Sequence, residues 1–254
     1  MTPPLTDLPK SIEEAVEQAK QSTIAALEDG CPLLQVELVF PEIELQAQAI
    51  ARQFIPALAA PDTQLKVFFP DTGAAALARR DWGEVPFRIS DLGTNPASVE
   101  TRLDSTDDRF LVISPSPVEV EQVEKLSQLA DGRPIVLLNP RLEDIAIVGI
   151  GYKARQLRER FISTIESCYY LKPLEGSAAL FRSYPGDWGL WREIDGEYQR
   201  IAGQSTKPNA EQIEQLLINV ATDSDLPQST SPQKSIQKPG VLAGLQSFLR
   251  ALSR

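Results

Sequence analysis

Apolar residues recur at helical spacing near the amino terminus of the chain. Over residues 12–27 they are separated by three or four positions, and Ser11 with Glu14 forms a capping-box pattern. This spacing predicts an amphipathic helix that ends near Gly30. The mostly apolar run that follows, 33–40, is typical of a buried strand.

Apolar runs and amphipathic segments then alternate along the chain. The pattern predicts helices at 44–59, 72–80 and 118–130, and strands at 65–69, 110–114 and 134–139. Pro56 is expected to kink or end the first of these helices. Because parallel strands need a long crossover, which a helix supplies, the alternation indicates a Rossmann-like α/β layer over residues 10–165.

The pattern changes after a further predicted helix at 153–165. Short aromatic and β-branched runs follow one another, separated by the turn sequences EGS, PGD and DG. They predict an antiparallel meander that extends the same sheet, before a last helix from Asn209 to about Val220. The predicted fold class is therefore α/β, with a Rossmann-like, mainly parallel sheet extended by a C-terminal antiparallel meander.

Three regions follow from this pattern: a single α/β domain at 9–220, a disordered linker at 221–240 and an amphipathic tail helix at 241–254. The linker has almost no large apolar side chains. With a rotation of 100° per residue, the apolar residues of the tail helix lie on one side, namely Leu242, Leu245, Phe248, Leu249 and Leu252. The basic residues Arg250 and Arg254 lie on the other side. Such a helix is typical of binding to an anionic membrane surface or a partner groove, and the alternative is docking on its own domain.

Composition narrows the chemistry open to this protein. The chain of 254 residues has a formal net charge of -10, which disfavours a general nucleic-acid binder. It has no histidine, which removes the commonest general base and every imidazole metal site. Cys31 and Cys168 are not in a CxxC pair and are interpreted as small buried apolar residues. We expect no cofactor, no metal, no transmembrane span and no cleaved signal.

A glycine-containing turn resembles a nucleotide-binding fingerprint. An apolar run leads into Gly149-x-Gly151-x-x-Ala154, with Lys153 beside it, and such glycines allow an anion to approach a helix amino terminus. The motif belongs to the first strand-helix turn of a doubly wound sheet, whereas several predicted strands precede it here. A cofactor site, a simpler anion site and a tight structural turn therefore stay open, and the turn is favoured.

Arginine and aromatic residues concentrate in two neighbouring parts of the sequence. One is the basic helix with Arg155 and Arg158, and the other is the hairpin with Arg182, Tyr184 and Trp188. Arginine and aromatic residues are favoured at binding hot spots, so we predict that these five residues lie close together and bind a partner. The alternative is a solvated helix face neutralised by acids.

Two acidic stretches have structural interpretations. Asp71, before a predicted helix, could be an active-site acid, but capping of that helix by Asp71 or Thr72 is favoured. The run DSTDD at 104–108 could chelate Mg²⁺, but its spacing is not that of a calcium loop, and a solvated turn is favoured.

Five strings together resemble one known family, DUF1995 of cyanobacteria and plastids, over about residues 9–220. They are VELVFPE (36–42), LLNP (137–140), VGIG with RERF (148–161), YYLKPL (169–174) and LFRSYPGDW (180–188). The resemblance implies a role like that of plastid members, whose loss lowers photosystem II accumulation and which are regarded as helpers in assembling an inner-antenna subunit. It implies no catalytic residues.

Two functional hypotheses follow. The first is a non-enzymatic assembly factor, cytoplasmic and peripheral to the thylakoid membrane, that binds a photosynthetic membrane protein and reaches the membrane surface through residues 241–254. The second is an α/β enzyme or regulatory module that binds a phosphate-bearing small molecule at the Gly149–Gly151 turn. Nucleic acid is not expected as a partner in either case.

Overall fold

A computed structural model describes residues 7–40, 43, 46–59, 62–142 and 152–223. Its helices and strands follow one another in the order α1 (Ile12–Glu28), β1 (Leu33–Leu38), α2 (Ala47–Phe54), β2 (Leu65–Phe69), α3 (Thr72–Trp82), β3 (Arg88–Asp91), α4 (Pro96–Glu100), β4 (Arg109–Ile113), α5 (Val120–Ala130), β5 (Ile135–Leu138), α6 (Tyr152–Arg160), β6 (Glu166–Leu174), β7 (Ala178–Ser183), β8 (Trp188–Ile194), β9 (Glu197–Gln204) and α7 (Ala210–Asp223). None of these helices is both long enough and apolar enough to cross a membrane.

Within the described residues, nine strands form one sheet in the order β3-β2-β4-β5-β1-β6-β7-β8-β9. Pairing is parallel from β3 to β6 and antiparallel from β6 to β9. The predicted fold, a mainly parallel sheet extended by a C-terminal antiparallel meander, is confirmed.

Apolar side chains bury both faces of the sheet. On one face, α1, α2 and α3 pack against β1, β2, β6 and β7. On the other face, α4, α5 and α6 pack against β4 and β5, and a smaller cluster of Tyr170, Leu180 and Trp188 continues over the meander. The parallel strands β2, β4 and β5 are buried almost throughout, which explains their continuous apolar sequences.

Several element boundaries differ from the predicted ones. The edge strand β3 and the short helix α4 have no counterpart in the sequence prediction, because a half-buried four-residue strand with two charged ends lacks an apolar run. Helix α2 ends at Phe54 and passes into a 3₁₀ turn that contains Pro56, as expected. Helix α7 continues to Asp223, beyond the predicted end near Val220.

Strands β1 and β5 are neighbours, and the chain leaves their carboxyl ends toward opposite faces of the sheet. From β1 the chain passes to α2 on one face and continues to β2, whereas from β5 it reaches α6 on the other face and continues to β6. In open α/β sheets such a divergence leaves a crevice outside the carboxyl ends of the two strands. The topology thus singles out the ends of β1 and β5 as the place to examine for a site.

Candidate functional site

Two adjoining cavities lie at the carboxyl ends of β1, β4 and β5. We call the first, of about 370 Å³, the apolar chamber, and the second, of about 620 Å³, the polar trough. They share a wall made by Glu37, Val39, Pro140 and Arg141. Both volumes lie in the range of ligand pockets, about 300–1,000 Å³.

The apolar chamber is formed by the end of β1, the start of α2 and the turn after β5. Its apolar walls are Leu38, Val39, Phe40, Ile43, Ala47 and Pro140. Polar groups enter the lining from Glu37, Ser114, Asn139 and Arg141. The chamber therefore combines a mostly apolar surface with a few polar groups on one side, as small-molecule sites do.

Unusual backbone conformations shape the polar side of the chamber. Ser114 and Asn139 end β4 and β5 with φ of 48° and 50°, in the left-handed region that few residues other than glycine adopt. The Asn139 side chain accepts a hydrogen bond from the Leu38 backbone N–H (2.7 Å), and its own N–H donates to the Val36 carbonyl (2.7 Å). Asn139 thus joins β5 to β1 through both its side chain and its backbone, which holds the mouth of the crevice in one shape.

Glu37 lies where the chamber meets the trough, with 15 % of its side chain exposed. One carboxylate oxygen accepts hydrogen bonds from the Gln35 amide (2.9 Å) and the Ser167 hydroxyl (3.3 Å). The other lies 3.6 Å from the Lys207 ammonium. Among the described residues, the Lys207 ammonium and these two hydrogen-bond donors therefore face the Glu37 carboxylate.

Lys207 covers the polar trough from the segment that leads into α7. Its ammonium lies 4.0 Å from the centre of the Tyr170 ring and 5.3 Å from that of Trp188, a cation–π geometry. Burial, and secondarily the nearby Glu37 carboxylate, raises the pKa of Tyr170, so this phenol stays neutral at physiological pH. Lys207 thus holds its loop against the meander.

Two of the five predicted partner-binding residues are on the surface of α6. Arg155 and Arg158 are exposed, and at the start of the helix Tyr152 is 73 % exposed. Near its end, Arg160 makes a two-pronged ion pair with Glu124 of α5, at 2.7 and 2.9 Å. The helix is therefore tied to α5 at one end and presents arginine and tyrosine side chains to solvent.

Two other predicted residues, Arg182 and Trp188, lie together in the meander. The Arg182 guanidinium donates to the carbonyls of Ser167 (2.8 Å) and Gly186 (3.2 Å) and pairs with Glu166 at 2.7 Å. Its carbon lies 5.5 Å from the centre of the Trp188 ring, and Trp188 is only 4 % exposed. Both side chains are engaged within the fold.

Tyr184 packs on the opposite face of the sheet, beside α1. Its hydroxyl donates to the Asp29 carboxylate at 2.8 Å, and this hydrogen bond is the main reason that its pKa rises to about 12. Trp188 instead packs with Tyr170 and Leu180. The structure therefore brings Arg182 and Trp188 together and separates Tyr184 from them.

The other sequence-based predictions have mixed outcomes. Asp71 caps α3 by accepting a hydrogen bond from the Ala74 N–H at 2.9 Å, as expected. Cys168 is buried, as expected, and burial raises its pKa to about 12, which keeps the thiol protonated and unreactive. In the part of the chain that the structure describes, no group of His, Cys, Asp and Glu residues could hold a metal ion.

The run at 104–108 is only partly a solvated turn. Asp107 is buried and pairs with Lys66 and Arg88, because its loop folds against the starts of β2 and β3. Its neighbour Asp104 is exposed, and hydrogen bonds from the backbone and side chain of Thr106 lower the pKa of that carboxyl. The interpretation as a solvated turn was therefore wrong for Asp107.

The remaining predicted sites lie outside the described residues. These are Gly149, Gly151 and the side chain of Lys153 in the glycine turn, the linker from residue 224 onward, and the tail with Leu242, Leu245, Phe248, Leu249, Arg250, Leu252 and Arg254. Their assignments stay predictions from the sequence.

Sequence reasoning missed the crevice as a site. Its polar residues come from separate segments, Glu37 from β1, Ser114 after β4 and Asn139 with Arg141 after β5. One signal was present, since β1 alternates apolar residues with the polar Gln35 and Glu37 although it lies inside a parallel sheet. Central strands of such sheets are usually apolar on both faces, so the alternation marks a face that is not fully covered.

Comparison with known proteins places the chain in a family. No solved structure matches it. The model of one protein family, described as a domain of unknown function, DUF1995, matches residues 9–215. This match covers most of the α/β domain, including every strand of the sheet. The chain therefore belongs to the DUF1995 family.

Proposed function

We propose that this protein is a non-enzymatic accessory factor that binds a client protein of a thylakoid photosynthetic complex, in particular photosystem II. The class of client comes from the family resemblance. The observation that carries the binding role is the exposed face of α6, where Tyr152, Arg155 and Arg158 point to solvent. Tyrosine and arginine dominate binding hot spots in protein interfaces.

The segment that follows α6 reaches the polar trough. Ile162, two residues beyond the end of α6, lines the trough together with Ser116 and Pro117, and the next residue, Val118, is 65 % exposed. A partner lying over α6 therefore has an apolar residue and an open trough beside its basic contacts. Because the arginines are positive, the expected client segment carries acidic residues.

A second contact, with the membrane, is proposed for residues 241–254. From Pro232 to the end the chain contains two lysines and two arginines and no acid, so the remainder carries a net charge of -14. Each basic residue near an anionic surface contributes about 1 kcal/mol, and burying a Leu or Phe side chain contributes roughly 1.5–3 kcal/mol. Ordering the helix opposes this gain, which makes the expected binding weak and reversible.

Capture of the client from solubilised thylakoid membranes tests the α6 face. The double variant Arg155→Glu/Arg158→Glu is expected to retain about a tenth of the photosystem II subunit retained by the unaltered protein, with its melting temperature nearly unchanged. The control variant Arg52→Glu/Arg80→Glu makes the same charge change on α2 and α3, where both side chains are exposed. Equal capture by both variants would show that α6 is not the docking face.

Sedimentation with liposomes tests the membrane contact. Deleting residues 241–254, or changing Leu245 and Leu249 to Asp, is expected to release the protein from anionic vesicles, and raised salt is expected to release it in part. Neutral vesicles of the same size are the control. Continued sedimentation of the truncated protein with anionic vesicles, or no sedimentation of the full chain, would contradict the membrane assignment.

A further inference from the structure

We propose that the outer end of the meander carries a binding site for a carboxylate, formed by the Trp191 indole and the Arg200 guanidinium. The two residues are register partners on β8 and β9. The inference goes beyond client binding, because Trp191 packs on the face of the sheet opposite the one that carries α6. It depends on a buried donor, on a nearby cation and on the glycines beneath them.

The Trp191 indole contains a buried hydrogen-bond donor. Trp191 is only 7 % exposed, and its ring packs edge-on against Phe181, with 6.4 Å between the ring centres. Among the described residues, no acceptor lies within hydrogen-bond distance of its Nε1 atom. A buried indole N–H usually has an acceptor, because a buried donor without one costs free energy. This N–H is therefore a donor that a bound acceptor would satisfy.

The Arg200 guanidinium supplies a positive charge beside this donor. It forms no ion pair with any carboxylate of the described residues. It lies over Gly203, where an added Cβ would be 2.5 Å from one terminal nitrogen and 3.0 Å from the guanidinium carbon. Its hydrogen bond to the Trp188 carbonyl is long, at 3.5 Å. Because this bond is weak, the guanidinium can turn toward a bound anion at little cost.

The two donors converge above Gly189. A Cβ at this position would lie 2.8 Å from Nε1 of Trp191 and 2.9 Å from Nε of Arg200. Since an N–H···O hydrogen bond spans about 2.7–3.2 Å, one carboxylate can accept from both groups once the guanidinium has turned. A carboxylate suits this pair of donors because its two oxygens match the planar guanidinium and carry the opposite charge. A larger residue in place of Gly189 would fill the space between the donors.

The carboxylates that lie nearest along the chain point to other parts of the surface. Glu193 follows Trp191 by two residues and is paired with Tyr198, whose pKa it helps to raise, whereas Arg200 extends in the other direction along the strands. Asp187 is exposed before the start of β8, and its carboxylate does not pair with Arg200. Neither side chain therefore supplies the acceptor that the indole and the guanidinium share.

Nuclear magnetic resonance of the full nitrogen-15-labelled chain, titrated with sodium acetate, tests the proposal. The chain has three tryptophans, and only the indole N–H signal of Trp191 is expected to shift in a saturable way, together with the Gly189 amide. Sodium chloride at equal ionic strength and acetamide, which has the same shape without the charge, are the controls. Tighter binding of acetyl-Gly-Glu-Gly-amide than of acetate would identify a peptide side chain as the source of the carboxylate, and weaker binding would identify a free carboxylate ion.

Two arginine variants test the cation. Arg200→Met is expected to weaken acetate binding about tenfold, because it removes the charged donor. Arg192→Met removes the same charge from β8, but the Arg192 side chain lies on the other face of the sheet, toward the Leu217 carbonyl of α7. This control is expected to leave acetate binding unchanged. Client capture by Arg200→Met measures the proposed function separately, and it is expected to be normal.

A third variant, Trp191→Phe, tests the indole N–H and retains an aromatic ring. It is expected to weaken acetate binding about threefold, measured at the Gly189 amide, because one hydrogen bond to the carboxylate is lost. Equal shifts with acetate and with chloride, or equal acetate binding by Arg200→Met and Arg192→Met, would overturn the proposal. The same holds if Asp187→Asn without acetate moves the Trp191 signal as far as acetate does, since Asp187 would then be the acceptor.

Discussion

Lys66 and Asp107 form an ion pair that is almost completely removed from solvent. The Lys66 ammonium lies 3.0 Å from one carboxylate oxygen of Asp107, and the two side chains are 8 % and 0 % exposed. The Arg88 guanidinium lies 3.1 Å from the other oxygen, and Lys66 also donates to the carbonyl of Arg102. The pair joins the start of β2 to the loop that precedes β4.

Replacing one partner leaves the other charge buried. Breaking a buried pair in this way lowers the free energy of unfolding by about 3–5 kcal/mol. Because Arg88 still faces Asp107 in the variant Lys66→Met, we expect a loss near the lower limit, about 3 kcal/mol. Lys172→Met removes an exposed lysine from β6 and is expected to change stability by less than about 0.5 kcal/mol.

Urea unfolding followed by far-ultraviolet circular dichroism measures both variants. The double variant Lys66→Met/Asp107→Leu is expected to be more stable than the single variant Lys66→Met. The reason is that the double variant no longer buries the Asp107 carboxylate without the Lys66 ammonium. The double-mutant cycle isolates the interaction between the two side chains. A loss below about 1 kcal/mol for Lys66→Met would refute the argument, since it would mean that Arg88 and solvent compensate the carboxylate fully.

Three further predictions concern the fold. Arg182→Met is expected to lower the free energy of unfolding by roughly 3 kcal/mol in a urea titration, because the guanidinium pairs with a carboxylate and donates to two backbone carbonyls; a neutral effect would show that these bonds are not formed. Gly93→Ala is expected to lower the melting temperature more than Gly132→Ala does, because both have positive φ but only a Cβ at Gly93 meets another side chain, at 2.4 Å; equal effects would contradict the crowding. Burial raises the pKa of Cys168 from an ordinary 9.0 to about 12, and the resulting contribution to stability is fully present below pH 9 and is lost as pH rises through 12. The free energy of unfolding is therefore expected to fall by roughly 2 kcal/mol less between pH 8 and pH 10.5 in Cys168→Ala than in the unaltered protein. An equal fall in the two proteins would contradict the assignment.

The α6 face and the apolar chamber differ in how their residues are placed along the chain. The α6 face depends on exposed arginine and tyrosine side chains in one continuous segment, which the sequence already indicated. The apolar chamber depends on residues that are far apart along the chain, from Glu37 to Arg141, and that meet only because β4, β5 and β1 are adjacent in the sheet.

The sequence by itself determined the local structure of this protein. Apolar periodicity predicted the alternation of strands and helices, and the change to short aromatic runs near Cys168 predicted the meander that begins with β6. The cap at Asp71 and the burial of Cys168 also followed from the sequence. These features depend on neighbouring residues, or on a single side chain's preference for apolar surroundings, and both are present in the sequence.

Tertiary structure alone decided which segments meet. Strand order places β1 between β5 and β6, and this pairing of distant segments creates the crevice. The same long-range packing buries Asp107 beside Lys66 and uses Arg182 within the meander, although both residue types are usually exposed. The local sequence pattern does not indicate these contacts, because the partner of each charge lies 16 to 41 residues away in the chain. The two partners come together only when the sheet has folded.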